Sequence, residues 1–299
     1  MHKFNLDILS ATDYMAETTK GLHADNREFV EQNEAVLQEA YANYLAHTVP
    51  CSLEQLEPIW PQTGGRTPSE KEQNAKCQKV HDLYESKRAF RNMHWHEIEK
   101  MNGGRILRCP ICGVEKCAHL DHYVPREEMP EFSVFAPNLI PLCYDCNEKK
   151  KSSWKNIRGE RVIINAYYDD LPNKPICECV ISVDENGLPK AEIIKGTQLD
   201  NTIAGDRLVI STIDSLELIP RIWQPECNLV FDNEVVRLVE DYDEERWPNP
   251  EDYWAYKCQR IPNYLKDSIH SSFIARIVYE SIVTSEVMKN WLCNYLRAI

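Results

Sequence analysis

Residues 109–150 read CPICGVEKCAHLDHYVPREEMPEFSVFAPNLIPLCYDCNEKK, and the fold expected of the chain turns on how their cysteines are read. Cys109-Pro110-Ile111-Cys112 and Cys143-Tyr144-Asp145-Cys146 are two Cys-x-x-Cys pairs separated by one short insertion. That spacing predicts a tetrahedral four-cysteine site, because each pair sits on a tight turn that aims both sulfurs at one ion. Four thiolates close the coordination shell and leave no position for water, so the expected metal is a structural Zn²⁺. The other eight of the twelve cysteines have no usable spacing and read as buried thiols. Met1–Asp7 contains no apolar stretch of signal-peptide length, so reduced thiols and a cytoplasmic location are expected.

Between and beside the two pairs lie Asp121-His122-Tyr123-Val124-Pro125, then Asn138-Leu139-Ile140-Pro141-Leu142, then Cys146-Asn147-Glu148-Lys149-Lys150. In combination these resemble the HNH endonucleases, whose ββα-metal unit is often clipped by zinc on four cysteines. The resemblance spans about fifty residues. It implies hydrolysis of a phosphodiester, which needs an activated water and a cation where negative charge grows. His122, with a reference pKa near 6.5, can take the proton from water at neutral pH. Asp121 and Asn147 would be ligands of the catalytic ion, with a short turn bending the strand so that Asp121 reaches it. Asn138 would hold the loop carrying His122, and Lys150 would touch a phosphate. Asn147 stands where many HNH motifs have their last histidine, as in the variant of the family found in CRISPR effector nucleases. An oxygen-only shell favours Mg²⁺ or Mn²⁺. The resemblance further implies 5′-phosphate and 3′-hydroxyl products.

Pro130-Glu131-Phe132-Ser133 and Asn165-Ala166-Tyr167-Tyr168-Asp169-Asp170-Leu171-Pro172 look like HNH nucleases encoded beside ATPases in bacterial anti-phage systems such as Septu and certain retrons. This implies an ATPase or other regulatory protein partner. Three other residues near the motifs read as structural. His119 shares a strand face with Asp121 and could be a further ligand, but a structural hydrogen bond is the plainer reading. Cys117 falls outside the pair spacing. His94 and His96, beside Trp95, read as a helix surface.

Outward from this centre the chain reads mainly helical. Apolar residues recur at helical spacing from Asn26 to Thr48, and a second helical stretch runs from Ser69 to Met101, ending at Asn102-Gly103-Gly104. Lys71, Lys76, Lys79, Lys87, Arg88 and Arg91 on that stretch read as a solvated face rather than as phosphate contacts. Ile176–Ile194 reads as two strands around Asp184-Glu185-Asn186-Gly187. Acidic, proline-rich connections follow, and Asp267–Leu296 reads as an amphipathic helical region with Ile269, Phe273, Ile274, Ile277, Val278, Ile282, Val287 and Trp291 on its stripe. The expected fold is α+β: a small ββα-metal core with structural zinc, flanked by mainly helical N- and C-terminal regions. The expected division is 1–64, a helical N-terminal region; 65–160, the nuclease domain with its leading helix; and 161–299, a mixed strand and helix region.

Charge narrows where chemistry on nucleic acid belongs. The chain of 299 residues carries a net charge of −13, which argues against coating nucleic acid by bulk electrostatics. Residues 1–64 carry a net −7 and 161–299 a net −9, whereas 65–160 carry +3, so only the middle segment attracts phosphate. The acidic ends suit either an effector held in check or plain solubility. Composition is that of a globular protein, and no window approaches the roughly 18 apolar residues of a membrane span. The expected function is a metal-dependent endonuclease acting on DNA, working in anti-phage defence with a partner. The alternatives are an RNA-cleaving nuclease of the same chemistry and a non-catalytic, zinc-stabilised nucleic-acid-binding or scaffold module.

Overall fold

The computed structural model describes residues 1–7, 9–20, 22–61, 63–86, 88–103, 107–267 and 272–298, with no side-chain description at 86, 88–90, 93 and 261–267. Helix dominates, with two small antiparallel sheets. The chain forms two compact units, one of His2–Ile111 with Lys116–Leu171, the other of Pro172–Ile299 with Met1 and Cys112–Glu115. Apart from Met1 and Cys112–Glu115, residues 1–160 fall in the first unit, which continues to Leu171. Physical ties explain this extent. Phe4 N donates to Ala166 O at 2.8 Å, Tyr167 Oη donates to Leu139 O at 2.7 Å, and Arg161 binds Asp169 through two bonds of 2.7 and 2.9 Å.

The first unit opens with three helices, α1 (Ala11–Thr19), α2 (Ala24–Gln32) and α3 (Glu34–Ala46). Ser10 and Asp13 cap α1 reciprocally, each side chain bonding the other's backbone N–H. The single helix expected from Asn26 to Thr48 is broken at Asn33, whose backbone leaves the helical region (φ −113°, ψ 12°). Its Nδ2 donates to Phe29 O at 2.8 Å, a local bond that competes with helical continuation. Phe135 anchors the core here, stacked on Tyr41 at 4.2 Å and meeting Tyr14 and Tyr44 edge-on at 5.0 and 5.1 Å. Helices α4 (Pro68–Ser86) and α5 (Arg88–Met101) occupy the predicted second helical stretch. Lys87 and Gly104, which entered that reading, lie outside the described residues, as does the side chain of Arg88.

Strand β1 (His119–His122) pairs antiparallel with β2 (Leu139–Leu142), placing Asp121 opposite Ile140 and His122 opposite Leu139. Helix α6 (Tyr144–Lys150) follows β2 after one residue. Two strands and a helix thus follow one another through the residues that the motifs occupy.

In the second unit, β3 (Cys177–Val183) and β4 (Pro189–Lys195) form the predicted hairpin, in register from Cys177 opposite Lys195 to Val183 opposite Pro189. The connection is a longer loop closed by the Asp184 side chain, whose Oδ1 accepts from Asn186 N and Leu188 N, with Gly187 at φ +78°. Helices α7 (Ala204–Ser215), α8 (Gln224–Glu240) and α9 (Pro250–Asp267) then occupy a stretch expected to be mostly connections. Two prolines of that stretch lie in helix first turns: Pro225 in α8 and Pro250 opening α9, where for Pro250 a missing N–H costs nothing. A π-helical turn, Ile219–Trp223, leads into α8. The expected C-terminal helical stripe divides into α10 (Phe273–Thr284) and α11 (Glu286–Ala298), separated by the extended Ser285. Helix α10 buries Ile274, Val278 and Ile282, whereas α11 buries Met288, Leu292 and Leu296 and leaves Val287 exposed. The phase resets at the break, and a stripe read straight through picks the wrong face. Ile269 lies outside the described residues. No helix among the described residues is long and apolar enough to cross a membrane.

Candidate metal centre and active site

Cys109, Cys112, Cys143 and Cys146 are all buried, and their sulfurs lie within 4.8 Å of one another. A zinc tetrahedron with Zn–S near 2.3 Å has sulfur–sulfur edges of about 3.8 Å, so the cluster could hold a structural metal such as zinc. Local structure builds each half. The first pair sits in a turn followed by Gly113 at φ +69°, where Arg108 and Lys116 pair antiparallel and Cys117 N donates to Leu107 O at 2.8 Å. The second pair begins α6: Cys143 is its N-cap, and its sulfur accepts from Cys146 N at 3.4 Å. Cys117 is outside the cluster, its thiol donating to Pro141 O at 3.5 Å.

At the end of β1, Asp121 and His122 diverge into different surroundings. The Asp121 carboxylate is buried, and its Oδ2 lies 2.8 Å from Lys150 Nζ, close enough for an ion pair but not aligned as a hydrogen bond. Burial raises the Asp121 pKa above the usual carboxylate range, with Lys150 opposing. The Lys150 ammonium also donates to His122 O at 2.9 Å and to Lys151 O at 3.4 Å. Lys150 is thus turned inward, only 1% exposed, rather than presented to a phosphate.

The His122 ring is oriented by Ser133, whose carbonyl oxygen lies 2.9 Å from Nε2. A carbonyl can only accept, so the proton is on Nε2 and the free lone pair is on Nδ1. Burial drives the His122 pKa down to about 3; the Ser133 bond opposes this, and Arg126, Lys150 and His81 reinforce it. Behind the ring, Tyr84 of α4 meets it edge-on at 4.6 Å and donates its hydroxyl to Leu120 O at 3.2 Å.

Asn138 is fully buried and holds the backbone just past His122. Its Oδ1 accepts from Val124 N at 2.8 Å, and its Nδ2 donates to Val124 O at 2.9 Å. Asn147 is half-buried on α6, three residues before Lys150 and so on the same helix face. His119 is exposed, its ring 6.0 Å from that of Tyr144. His94 is not on a helix surface: it is 2% exposed, its Nε2 is 3.2 Å from Leu139 O, and burial lowers its pKa to about 4. His96 is on the surface, beside Glu99.

The groups that sequence reasoning overlooked come from α4 and the loop after β1. Arg126, its side chain 29% exposed, stands 5.8 Å from the Tyr84 ring and pairs with Glu85 at 3.1 Å; Arg91 is 4.9 Å from the same ring. His81 Nε2 lies 2.9 Å from Arg126 O. His81 and Tyr84 are three apart on a helix otherwise read only for its charge, and that spacing was the available signal. Arg126, not Lys150, is the partly exposed cation beside His122.

Comparison with known proteins yields little overlap. No family model matches the chain, and no solved structure matches it. A stretch of 63 residues is 36% identical to protein ea31 of Escherichia phage lambda, covering 21% of this chain and 21% of that protein. The chain thus aligns with about a fifth of the relative's length.

Proposed function

We propose that the protein is a metal-dependent HNH-type endonuclease that hydrolyses phosphodiester bonds of DNA, with the β1–β2–α6 segment as its ββα-metal core. The observation that carries this reading is the tautomer of His122: a half-buried imidazole with its Nε2 proton engaged by Ser133 O and its Nδ1 lone pair left as the base. In this reading Nδ1 removes a proton from the attacking water as its oxygen bonds to phosphorus, and the P–O3′ bond breaks to leave a 5′-phosphate while the departing O3′ takes a proton from solvent to become a 3′-hydroxyl. Asn138 fixes the loop behind His122, Tyr84 buttresses the ring, and Arg126 offers charge to the phosphate. The donor set of Asp121 Oδ2, which has no aligned hydrogen bond, and the Asn147 amide oxygen fits a hard divalent cation, Mg²⁺ or Mn²⁺. Such an ion supplies neutralisation of the charge that grows on the phosphoryl oxygens. A regulatory partner such as an ATPase, a role in anti-phage defence and a cytoplasmic location belong to the same proposal and rest on the sequence resemblance.

One observation favours a non-catalytic zinc-held module instead: the Asp121 carboxylate already has a cation, Lys150, at 2.8 Å. Incubating plasmid DNA, and separately total RNA, with wild type and His122→Ala, with and without Mg²⁺, decides among these readings. The expected result is nicking or linearisation of DNA by wild type with Mg²⁺ and a loss of at least about a hundredfold in His122→Ala. Equal activity in both proteins would remove His122 from the chemistry, and cleavage of RNA alone would reverse the substrate.

A further inference from the structure

Beyond α6 the chain makes a small hairpin that neither the zinc cluster nor the site around His122 uses. Lys155 and Arg161 pair as an antiparallel bridge, Val162 N donates to Trp154 O at 2.9 Å, and Asn156 N donates to Glu160 O at 2.9 Å. Asn156 builds the tip from within. Its Oδ1 accepts from Arg158 N at 2.9 Å and Glu160 N at 3.0 Å, and its Nδ2 donates to Glu160 Oε2 at 2.9 Å. Gly159 completes the turn at φ +78°, where a side chain would be strained. What this braced turn presents is Ile157, fully exposed. Burial cannot account for an isoleucine held there, since its apolar surface stays in water.

The roots of the hairpin are as fixed as its tip. Trp154 is fully buried, meets the Tyr123 ring edge-on at 5.6 Å and donates from Nε1 to Glu128 at 3.0 Å. Arg161 donates to Tyr123 Oη at 3.2 Å while gripping Asp169, and its Nε lies 3.0 Å from Glu54. Both roots therefore rest on Tyr123, the residue after His122. Arg158 lies exposed on the tip, and Lys151 lies exposed at the end of α6, before the hairpin's first root; neither is in an ion pair among the described residues, while the Glu160 carboxylate is engaged by Asn156.

We propose that this hairpin is a DNA-binding wedge: Ile157 presses against a base step from a groove of duplex DNA while Lys151 and Arg158 contact the flanking phosphates. Rigidly held apolar side chains between cations are the means by which proteins part stacked bases, and the cations exclude a basic partner. Only the identity of the partner rests on the nuclease reading; the presentation of Ile157 does not.

The test is fluorescence anisotropy on a short labelled duplex, without added divalent ion, alongside the same duplex carrying 2-aminopurine, whose emission rises when its base unstacks. Wild type is compared with Ile157→Ser, Ile157→Leu and Arg158→Ala, all at an exposed tip, with circular dichroism to verify the fold. The expected result is unstacking by wild type and Ile157→Leu, and its loss in Ile157→Ser with binding weaker by about tenfold. Arg158→Ala weakens binding and lowers the salt slope by about one while the unstacking signal persists at saturation. Wild-type behaviour of Ile157→Ser overturns the wedge, as does failure of the wild type to bind duplex or binding to single-stranded RNA alone. Cleavage that needs His122 but not Ile157 leaves the nuclease reading standing without the wedge. Unstacking that depends on Ile157 with no Mg²⁺-dependent cleavage does the reverse.

Discussion

Lys150 reaches the Asp121 carboxylate and the His122 carbonyl from the last turn of α6, with its whole side chain inside the protein. Replacing it with methionine keeps most of the apolar stem but leaves a buried carboxylate facing nothing. Removing one partner of a buried pair costs about 3–5 kcal/mol, because the remaining charge has lost both water and counter-ion. Lys150→Met is therefore expected to lose about that much unfolding free energy in urea titrations at neutral pH. Adding Asp121→Asn removes the orphaned charge, and the double variant should regain most of the loss, a non-additivity that distinguishes the ion pair from general packing. Equal losses in the single and double variants would mean that Lys150 contributes through its stem alone.

Helix α6 has only seven residues, too short to persist by its own propensity. What starts it is Cys143, whose sulfur accepts from Cys146 N, so a metal on these thiolates fixes the helix at its first turn. Asn147 and Lys150 follow within that helix. Cys143→Ser is expected to lose bound zinc by elemental analysis, to lower the melting temperature, and to speed hydrogen exchange in residues 144–150 more than in α3. Full zinc content with unprotected α6 would separate the helix from the metal. What was legible in the sequence follows from the same locality. The cysteine pairs and the β3–β4 hairpin each lie within a few residues of their signals, so local pattern located them, whereas β1 and β2 were expected only from the family resemblance. Helices α7–α9 were missed because their stretch was read as acidic, proline-rich connections, although Pro225 and Pro250 each sit in a first turn. His94 and Tyr84 could not be placed, since each gains its meaning from β-strand residues far along the chain: His94 from Leu139, Tyr84 from Leu120 and His122. Lys150 misled for a related reason, as a lysine at a helix end reads as solvated until the partner that buries it is known.

Across the whole molecule, a net charge of −13 must be reconciled with binding a polyanion. Bulk attraction is unfavourable, so affinity for DNA has to come from a few placed cations, and the four proposed contacts are Arg126 beside His122 and Lys151, Lys155 and Arg158 at the end of α6 and on the hairpin after it. Lys155 is partly neutralised by Glu128 at 3.1 Å and Arg126 by Glu85 at the same distance. Each phosphate contact on duplex DNA contributes about −0.9 to the slope of log K against log salt, which caps the steepness near −3.6. Repulsion from the acidic remainder is itself screened by salt and flattens the curve further. Titrating a duplex across NaCl concentrations without added divalent ion is therefore expected to give a slope between about −2 and −3.6. A slope steeper than about −6 would require further contacts, and Lys71, Lys76 and Lys79 on α4 are the cations that could supply them. Reversing those three to glutamate would then flatten the slope, whereas with a shallow slope in wild type the same change should leave duplex affinity within about twofold.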